Sequence, residues 1–306
     1  MNVLADFLLL GIDGGGSRCR ARLCNISGTT LSEGVAGAAN IRLGVEQSFA
    51  SVFLQATIQC MSGAGLSSRD FKRVVACVAL AGASEPSQLE IARRHEHPYR
   101  MAVFVTDAQA ACVGAHDGRD GGIIVIGTGS IGWAELNGQQ YQVGGWGWPI
   151  SDEGSGAWLG CEALRRTLWA HDGRMPWSAL LRSLFAKFQS DPHTIVHWMT
   201  GASPKDFATF APEVVQHALA NEPVAVELLR RAGGHVDALA QRLIDFGADR
   251  LSLVGGLAAS IEPWLADATR HHLVAPRGDA VAGALQLARN AAESLHRGRT
   301  APGQSR

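Results

Sequence analysis

The sequence lacks the features that would mark a secreted, membrane-bound or nucleic-acid-binding protein. Its first residues carry no basic segment of a signal peptide, and no apolar run reaches the length of about 18 residues that a membrane span needs. Lys and Arg number 27 against 28 Asp and Glu, so no positive excess points to nucleic acid or an anionic surface. We therefore expect a cytoplasmic protein that acts on small molecules, with no nucleic-acid or membrane partner.

Patterns for metal binding, disulfides and a P-loop are missing as well. The six cysteines lie in apolar segments without C-x-x-C or a nearby histidine pair, which is typical of reduced core cysteines. The histidines between 193 and 235 share no metal-ligand spacing, so we interpret them as surface or core residues. The absence of G-x-x-x-x-G-K-[ST] excludes a Walker-type nucleotide site.

Glycine, in contrast, is abundant at 36 residues, and two glycine-rich turns are organised alike. An apolar strand runs into Asp13 and three glycines, and a later one, over 122–126, runs into the turn Gly127–Ser130. An alternating strand, a hairpin turn and a third strand follow each of them. This repetition predicts a duplicated domain whose two loops offer backbone N–H groups to a chain of phosphates. For the first turn alone, an ordinary hairpin is the simpler alternative.

The rest of the chain alternates strands with helices, which predicts a mainly parallel α/β sheet with a meander at one edge. Long apolar runs predict strands, and amphipathic stretches with stop signals predict helices. The predicted strands cover 73–80, 101–106, 250–254 and 272–275, and the predicted helices cover 45–61, 87–95, 108–115, 153–170, 179–188, 193–199, 204–219, 222–246 and 279–292.

Asp107 stands at the end of one predicted strand and at the start of the next helix. Aspartate is a favoured N-cap residue, so capping is one interpretation. The other is functional, because open α/β sheets bind ligands at the carboxyl ends of their strands. Asp13 also ends a strand, so we expect both acids at one rim, Asp13 toward a metal and Asp107 toward the substrate.

The segment 144–156, GGWGWPISDEGSG, combines five glycines with two tryptophans and the adjacent acids Asp152 and Glu153. Acids that accept hydrogen bonds from hydroxyls and aromatic faces that meet a ring are typical of a pocket wall. The structural alternative is that Ser151 or Asp152 caps the following helix, which leaves the tryptophans unexplained.

Two glycine turns have features of nucleotide sites. The stretch Gly127–Gly132 matches G-x-G-x-x-G, but an Asn-Gly hairpin follows it where a dinucleotide site needs a helix, so a Rossmann site is disfavoured. Gly255 and Gly256 follow a strand and precede a helix, and their bare backbone suits contact with a base or ribose.

The motifs DGGGS, TDAQAA, GTGS, GGWG…SDEGS and VGGLAAS, in this order, resemble the BadF/BadG/BcrA/BcrD ATPase family over about residues 8–292. That family, which includes N-acetylglucosamine kinases, lies in the acetate and sugar kinase, heat-shock ATPase and actin superfamily. The resemblance implies an α/β fold of two duplicated ribonuclease H-like (actin-like ATPase) domains, each a mixed five-stranded sheet with helices. We expect domains at 1–117 and 118–293, a helical insertion at about 177–246, and a disordered tail at 294–306. The last helix of the second domain either stays with it or packs back on the first.

The same resemblance implies an ATP-dependent kinase that phosphorylates the 6-hydroxyl of N-acetylglucosamine or glucosamine, with ATP and Mg²⁺ as cofactors and a homodimer as the assembly. Asp107 matches the catalytic base of the family and Asp13 the acid near Mg²⁺. The remaining matches are phosphate-binding Gly14, Gly15, Gly16, Ser17, Gly127, Thr128, Gly129 and Ser130, adenosine-binding Gly255 and Gly256, and sugar-binding Asn40, Asp107, Gly145, Trp146, Gly147 and Asp152.

Two other functions are compatible with this family. One is an ATPase that activates a dehydratase or reductase partner, and those activators carry an iron–sulfur cluster bridged between subunits by cysteines. The other is a non-catalytic sugar sensor, which the presence of both Asp13 and Asp107 disfavours. Arg18 and Cys19 after the first loop and WPI after GGWG depart from the common family pattern, so glucosamine and N-acetylglucosamine both stay open as substrates.

Overall fold

The computed structural model describes residues 6–15, 18–39, 52–82 and 86–300. The chain forms two compact units, the first made of Met1–Asp120 with Pro276–Arg306 and the second of Gly121–Ala275. Each unit contains one mixed sheet with helices. The strands are β1 (Leu8–Gly14), β2 (Cys19–Asn25), β3 (Thr30–Ala36), β4 (Val74–Leu80), β5 (Met101–Thr106), β6 (Gly121–Ile126), β7 (Ser130–Leu136), β8 (Gln139–Gly144) and β9 (Leu251–Val254).

Helices connect and cover these strands. The 3₁₀ turns Ser68–Arg73 and Glu262–Trp264 supplement them. The helices are α1 (Leu54–Gly63), α2 (Pro86–Arg94), α3 (Asp107–His116), α4 (Gly156–His171), α5 (Ala179–Lys187), α6 (Pro192–Met199), α7 (Pro204–Ala208), α8 (Ala211–Leu219), α9 (Pro223–Asp245), α10 (Ala258–Ile261), α11 (Asp267–Arg270) and α12 (Ala280–Thr300).

The sheet of the first unit has the order β3-β2-β1-β4-β5, in which β1, β4 and β5 run parallel and β1, β2 and β3 form an antiparallel meander. All seven residues of β4 are buried, as expected for a strand covered on both faces. The predicted helix over 45–61 is observed from Leu54 to Gly63, and its predicted residues 45–51 lie outside the described part of the chain.

The second unit repeats the beginning of this topology with the order β8-β7-β6-β9, an antiparallel meander joined to one parallel strand. The two mixed sheets confirm the predicted α/β fold. The predicted fifth strand over 272–275 was wrong in extent, because it is reduced to a single parallel bridge between Leu251 and Leu273. The hydroxyl of Ser252 donates to the carbonyl of Val274 at 2.8 Å, and Pro276 then removes a backbone donor.

The chain between β8 and β9 is helical, from α4 to α9. The single helix expected over 204–219 was wrong, because α7 ends at Ala208 and α8 begins at Ala211. Pro212 explains the break, since it has no N–H to donate to the carbonyl of Ala208, four residues earlier, and its ring would clash with that carbonyl in a continuous helix. The description of this stretch as an insertion stays a prediction. Among the described helices, none is long and apolar enough to cross a membrane.

The last helix, α12, packs in the first unit across α3, the helix that begins with Asp107. Glycines allow this close crossing. A Cβ at Gly283 would overlap the carbonyl oxygen of Ala110, and one at Gly114 would overlap that of Asp279. The helix continues to Thr300, so residues 294–300, expected in a polar tail, are helical. The residues from 301 onward lie outside the description.

Gly283→Ala tests this crossing. We expect a loss of about 1–3 kcal/mol in the free energy of unfolding, because the added methyl group overpacks a backbone contact. Gly234→Ala in α9 is the matched control, since a Cβ there meets no described atom within 4 Å, and it should stabilise by about 0.5–1 kcal/mol. Urea denaturation followed by circular dichroism measures both, and equal effects of the two variants would contradict the prediction.

Candidate active site

In the first unit, two of the predicted acids lie at one edge of the sheet. Asp13 is in register with Ala79 of β4, which is in register with Val105 of β5, two residues before Asp107. Because β1, β4 and β5 are parallel, their carboxyl ends share this edge. One strand therefore separates the two carboxylates.

Asp107 is the first residue of α3 and does not cap it. The N-cap is Thr106, whose hydroxyl accepts a hydrogen bond from the N–H of Gln109 at 3.0 Å, so the capping interpretation of Asp107 was wrong. Asp107 Oδ1 accepts from the N–H of Ala108 at 2.8 Å. Burial raises the pKa of Asp107 from its ordinary 3.8 to about 6, with the Ala108 N–H opposing this rise and the charge of Asp13 adding to it.

A second finding in this unit was not predicted: Arg20 bridges two carboxylates. Its Nη2 lies 2.8 Å from Asp13 Oδ2 and its Nη1 lies 2.7 Å from Asp279 Oδ2. Asp279 also accepts from the N–H of Ala282 at 3.0 Å, at the start of α12. The sequence contained a signal for the first contact, because hairpin register places Arg20 directly opposite Asp13. Asp279 is distant in sequence, and no local pattern predicts its contact with Arg20.

The first glycine loop is described only in part. A Cβ at Gly14 would lie 2.6 Å from the ring of Phe53 and 2.9 Å from the carbonyl oxygen of Ala79, and one at Gly15 would lie 3.0 Å from the carbonyl oxygen of Arg18. Both positions therefore need glycine to keep the turn tight after β1. Of the other predicted site residues in this unit, Gly16, Ser17 and Asn40 lie outside the described residues.

In the second unit, three glycine-containing turns meet. The carbonyls of Gly127 and Thr128 accept from the N–H groups of Gly156 and Ala157, at 2.8 and 3.1 Å. Gly255, with φ of +104°, is so close to Ile126 that a Cβ would overlap the carbonyl oxygen of that residue. A Cβ at Gly256 would meet no described atom within 4 Å, so the backbone is open there.

Asp152 is tied to the turn that holds Gly129 and Ser130. Its Oδ1 accepts from the N–H of Ser130 at 3.3 Å and would lie 2.9 Å from a Cβ at Gly129. The hydroxyl of Ser130 donates to the carbonyl of Glu153 at 2.7 Å. The predicted phosphate loop and the predicted sugar-binding acid are therefore parts of one hydrogen-bonded cluster.

The two tryptophans of the segment 144–156 lie in different surroundings. Trp148 packs on Phe207, with ring centroids 5.2 Å apart, whereas Trp146 is 69% exposed. The expectation that Ser151 or Asp152 caps the next helix was wrong. Ser155 is the N-cap of α4, because Asp152 and Gly154 adopt positive φ values of 72° and 77° and delay the helix.

Gly145 and Gly147, also predicted to bind sugar, shape the turn around Trp146. Both have positive φ, 70° and 99°. A Cβ at Gly145 would lie 2.6 Å from Ile131, and the carbonyl of Gly147 accepts from the N–H of Ser151 at 3.0 Å. The structure thus brings together Asp13, Gly14, Gly15 and Asp107 in the first unit, and Gly127, Thr128, Gly129, Ser130, Asp152, Gly255 and the 145–147 turn in the second.

A resident metal centre made of protein ligands alone is not found in the described residues, where no three His, Cys, Asp or Glu side chains cluster suitably. Mg²⁺ is commonly held by one or two carboxylates together with water and substrate phosphates. Asp13, whose Oδ2 contacts Arg20 and whose side chain is 15% exposed, fits such a site.

Comparison with known proteins adds to this geometry. The sequence model of the BadF/BadG/BcrA/BcrD ATPase family matches residues 10–288. Glucosamine kinase GspK of Vibrio cholerae is 38% identical over 288 residues, which cover 94% of this chain and 98% of the relative. The N-acetylmuramic acid/N-acetylglucosamine kinase of Clostridium acetobutylicum is 27% identical over 231 residues, or 73% of this chain and 75% of the relative.

A solved structure shares the fold closely. The crystal structure of a Chromobacterium violaceum protein assigned as an N-acetylglucosamine kinase is 34% identical to this chain and superposes with a TM-score of 0.85. The match covers 92% of this chain and 99% of the other. Both units of the fold are therefore matched.

The raised pKa of Asp107 predicts a stability effect of known sign. Between about pH 4 and pH 6 the folded protein keeps a proton on this carboxyl that the unfolded chain has lost, so wild-type stability falls as the pH rises through this range. Asp107→Asn removes this loss and should raise the free energy of unfolding at pH 7.5 by about 1 kcal/mol, with allowance for partial exposure. Denaturation midpoints of both proteins from pH 4 to 7.5 measure it, and a variant less stable than wild type at pH 7.5 contradicts it.

Proposed function

Since the chain belongs to the BadF/BadG/BcrA/BcrD ATPase family, we propose that it is an ATP-dependent kinase for the 6-hydroxyl of glucosamine or N-acetylglucosamine. Proteins similar to it over most of its length are named as kinases of amino sugars. The Chromobacterium violaceum structure at 34% identity supports the same substrate class.

The observation that carries the proposal is the Asp107 carboxyl. It follows the carboxyl end of β5, one of the parallel strands of the mixed sheet, and open α/β sheets bind ligands at this edge. Its pKa of about 6 is high enough for a proton acceptor that is nevertheless ionised at neutral pH. Asp107 takes the proton of the sugar hydroxyl while that oxygen forms the new bond to the γ-phosphorus. The bond from the γ-phosphorus to the bridging oxygen breaks in line, and ADP leaves.

The remaining site residues receive roles from the same proposal. Gly14 to Ser17 and Gly127 to Ser130 hold the phosphates through backbone N–H groups, and Gly255 and Gly256 border the adenosine. Asp13 holds Mg²⁺, which when bound neutralises charge on the phosphate oxygens. The sugar-binding residues are Asn40, Asp107, Gly145, Trp146, Gly147 and Asp152.

The competing function, activation of a dehydratase or reductase partner, needs cysteines that can hold an iron–sulfur cluster between subunits. Five of the six cysteines are buried, and Cys161 is half-buried on α4. Burial raises the pKa of Cys19 and Cys60 to about 12, which disfavours the thiolate form that ligates metals. This arrangement favours the kinase.

A substrate panel tests the proposed function. We expect the full-length protein with ATP and Mg²⁺ to release ADP with glucosamine or N-acetylglucosamine and far less with glucose, and the product to carry phosphate at the 6-position by phosphorus NMR. ADP release that no sugar stimulates would favour a partner-activating ATPase. No ADP release with any sugar would overturn the proposal.

Asp107→Asn tests the assignment of the base. Turnover should fall by roughly 10² to 10⁴, the usual effect of losing a general base, while the Kd for the sugar changes little. Asp267→Asn is the control, because Asp267 likewise begins a helix but its side chain is 89% exposed, and it should keep wild-type turnover. Near wild-type turnover in Asp107→Asn would remove Asp107 from the mechanism.

A further inference from the structure

Two helices of the second unit are joined by a ladder of polar and aromatic side chains. The ladder consists of Trp158, Glu162 and Arg166 on α4 and of Glu227, Arg231 and His235 on α9. On each helix these residues are four positions apart, so they share one face. The rungs pair the start of α4 with the middle of α9, and the later part of α4 with the beginning of α9, as in antiparallel neighbours.

Each rung is a direct contact. The ring of His235 lies 5.0 Å from that of Trp158 in an edge-on arrangement, and the Arg231 guanidinium lies 5.3 Å from the centroid of the same Trp158 ring. Arg231 Nη1 is 3.1 Å from Glu162 Oε2. Two more contacts complete the ladder, from Arg166 Nη1 to Glu162 Oε2 at 2.8 Å and from Arg166 Nη2 to Glu227 Oε1 at 3.0 Å.

The central charges of the ladder are buried, with Glu162 5% and Arg166 3% exposed. A buried ion pair gains little stability over an apolar pair of the same volume, because removing both charges from water is costly. Its geometric requirement is strict, however, because each charge must keep its partner. The ladder is therefore better suited to fixing the alignment of α4 against α9 than to stabilising the unit.

The first rung adjoins the loop that carries Asp152. A Cβ at Gly154 would lie 2.8 Å from the carbonyl oxygen of Ala232 and 3.3 Å from the Cβ of His235, so this loop rests on α9. The next residue, Ser155, caps α4, and its Oγ accepts a hydrogen bond from the N–H of Trp158 at 3.2 Å. The loop is thus held between the two helices that the ladder aligns.

From this geometry we propose that Arg231 is a positioning residue for Asp152, acting through Trp158 and Glu162 on the loop that holds the carboxylate. The inference rests on the proposed function, because Asp152 is taken there as a ligand of the sugar. Arg231 contacts both the ring at the start of α4 and the acid one turn later, so it fixes the start of α4 in two directions.

Arg231→Met tests the proposal, because it keeps the aliphatic stem and removes the guanidinium. Glu162 retains Arg166 and also Arg165 as partners. We expect the KM for the amino sugar to rise roughly tenfold or more, as for a ligand displaced by a fraction of an ångström. The KM for ATP should change less than about twofold, because the pairing of β6 with β7 and β9 holds the turn Gly127–Ser130 from the sheet, without help from α4.

Arg242→Met is the matched control. Arg242 lies on the same helix, stacks on Phe246 at 4.1 Å and pairs with Asp245 at 3.7 Å, with a side chain 56% exposed against 45% for Arg231. It lies about three turns beyond Arg231 along α9. The control should leave both KM values unchanged, and Arg231→Lys should recover part of the sugar KM, since it restores charge without the planar fork.

The outcomes separate the two proposals. Suppose that the wild type phosphorylates an amino sugar. If Arg231→Met then has an unchanged KM for the sugar, or if its KM values for sugar and ATP rise equally, the positioning role is overturned and the kinase function stays intact. If no amino sugar is turned over by the wild type, the kinase function fails and the positioning role fails with it. Should Arg231→Met not fold, Trp158→Phe tests the same rung, with the same selective rise expected and its absence overturning the role.

Discussion

Close approach of one backbone to another is the constraint on which both units depend. In the first unit α12 can cross α3 only because Gly283 and Gly114 bring no Cβ to the contact. In the second, β9 turns beside β6 only because Gly255 has none. These contacts fix the helix that begins with Asp107 and the turns that surround Asp152. Glycine therefore allows the close backbone contacts that fix the positions of the candidate site residues.

The two acids of the first unit lie close together because of the strands that precede them. Asp13 and Asp107 lie at the carboxyl ends of parallel strands and so reach one edge of the sheet. They differ in their contacts with Arg20. Its guanidinium contacts Asp13 and Asp279. No contact of Arg20 with Asp107 is found among the described residues, and Asp107 remains the acid whose pKa burial can raise. The two carboxylates therefore have different surroundings: Asp13 is paired with a guanidinium, whereas burial raises the pKa of Asp107.

Much of this could be predicted from sequence, because glycine turns and apolar runs are local signals. The strand over 101–106, the meander in each unit and the edge that holds both acids follow from such signals. The helix caps did not, because Thr106 adjoins Asp107 and Ser155 follows Asp152 by three residues, and aspartate is as good a cap as serine or threonine. At α4 it is the positive φ of Asp152 and Gly154 that moves the cap to Ser155.

Pairs that are distant in sequence were out of reach for a different reason. Asp279 meets Arg20 across 259 positions and Arg231 meets Glu162 across 69, and no spacing rule connects them before the helices are packed. The two tryptophans of the 144–156 segment show the same limit. Composition assigns both to a pocket, but Trp148 is half-buried and packs on Phe207 at the edge of the core, whereas Trp146 is exposed. If Trp146 contacts the sugar, as proposed, a substitution there should change sugar binding more than stability, because the ring of Trp148 and not that of Trp146 anchors the segment on Phe207.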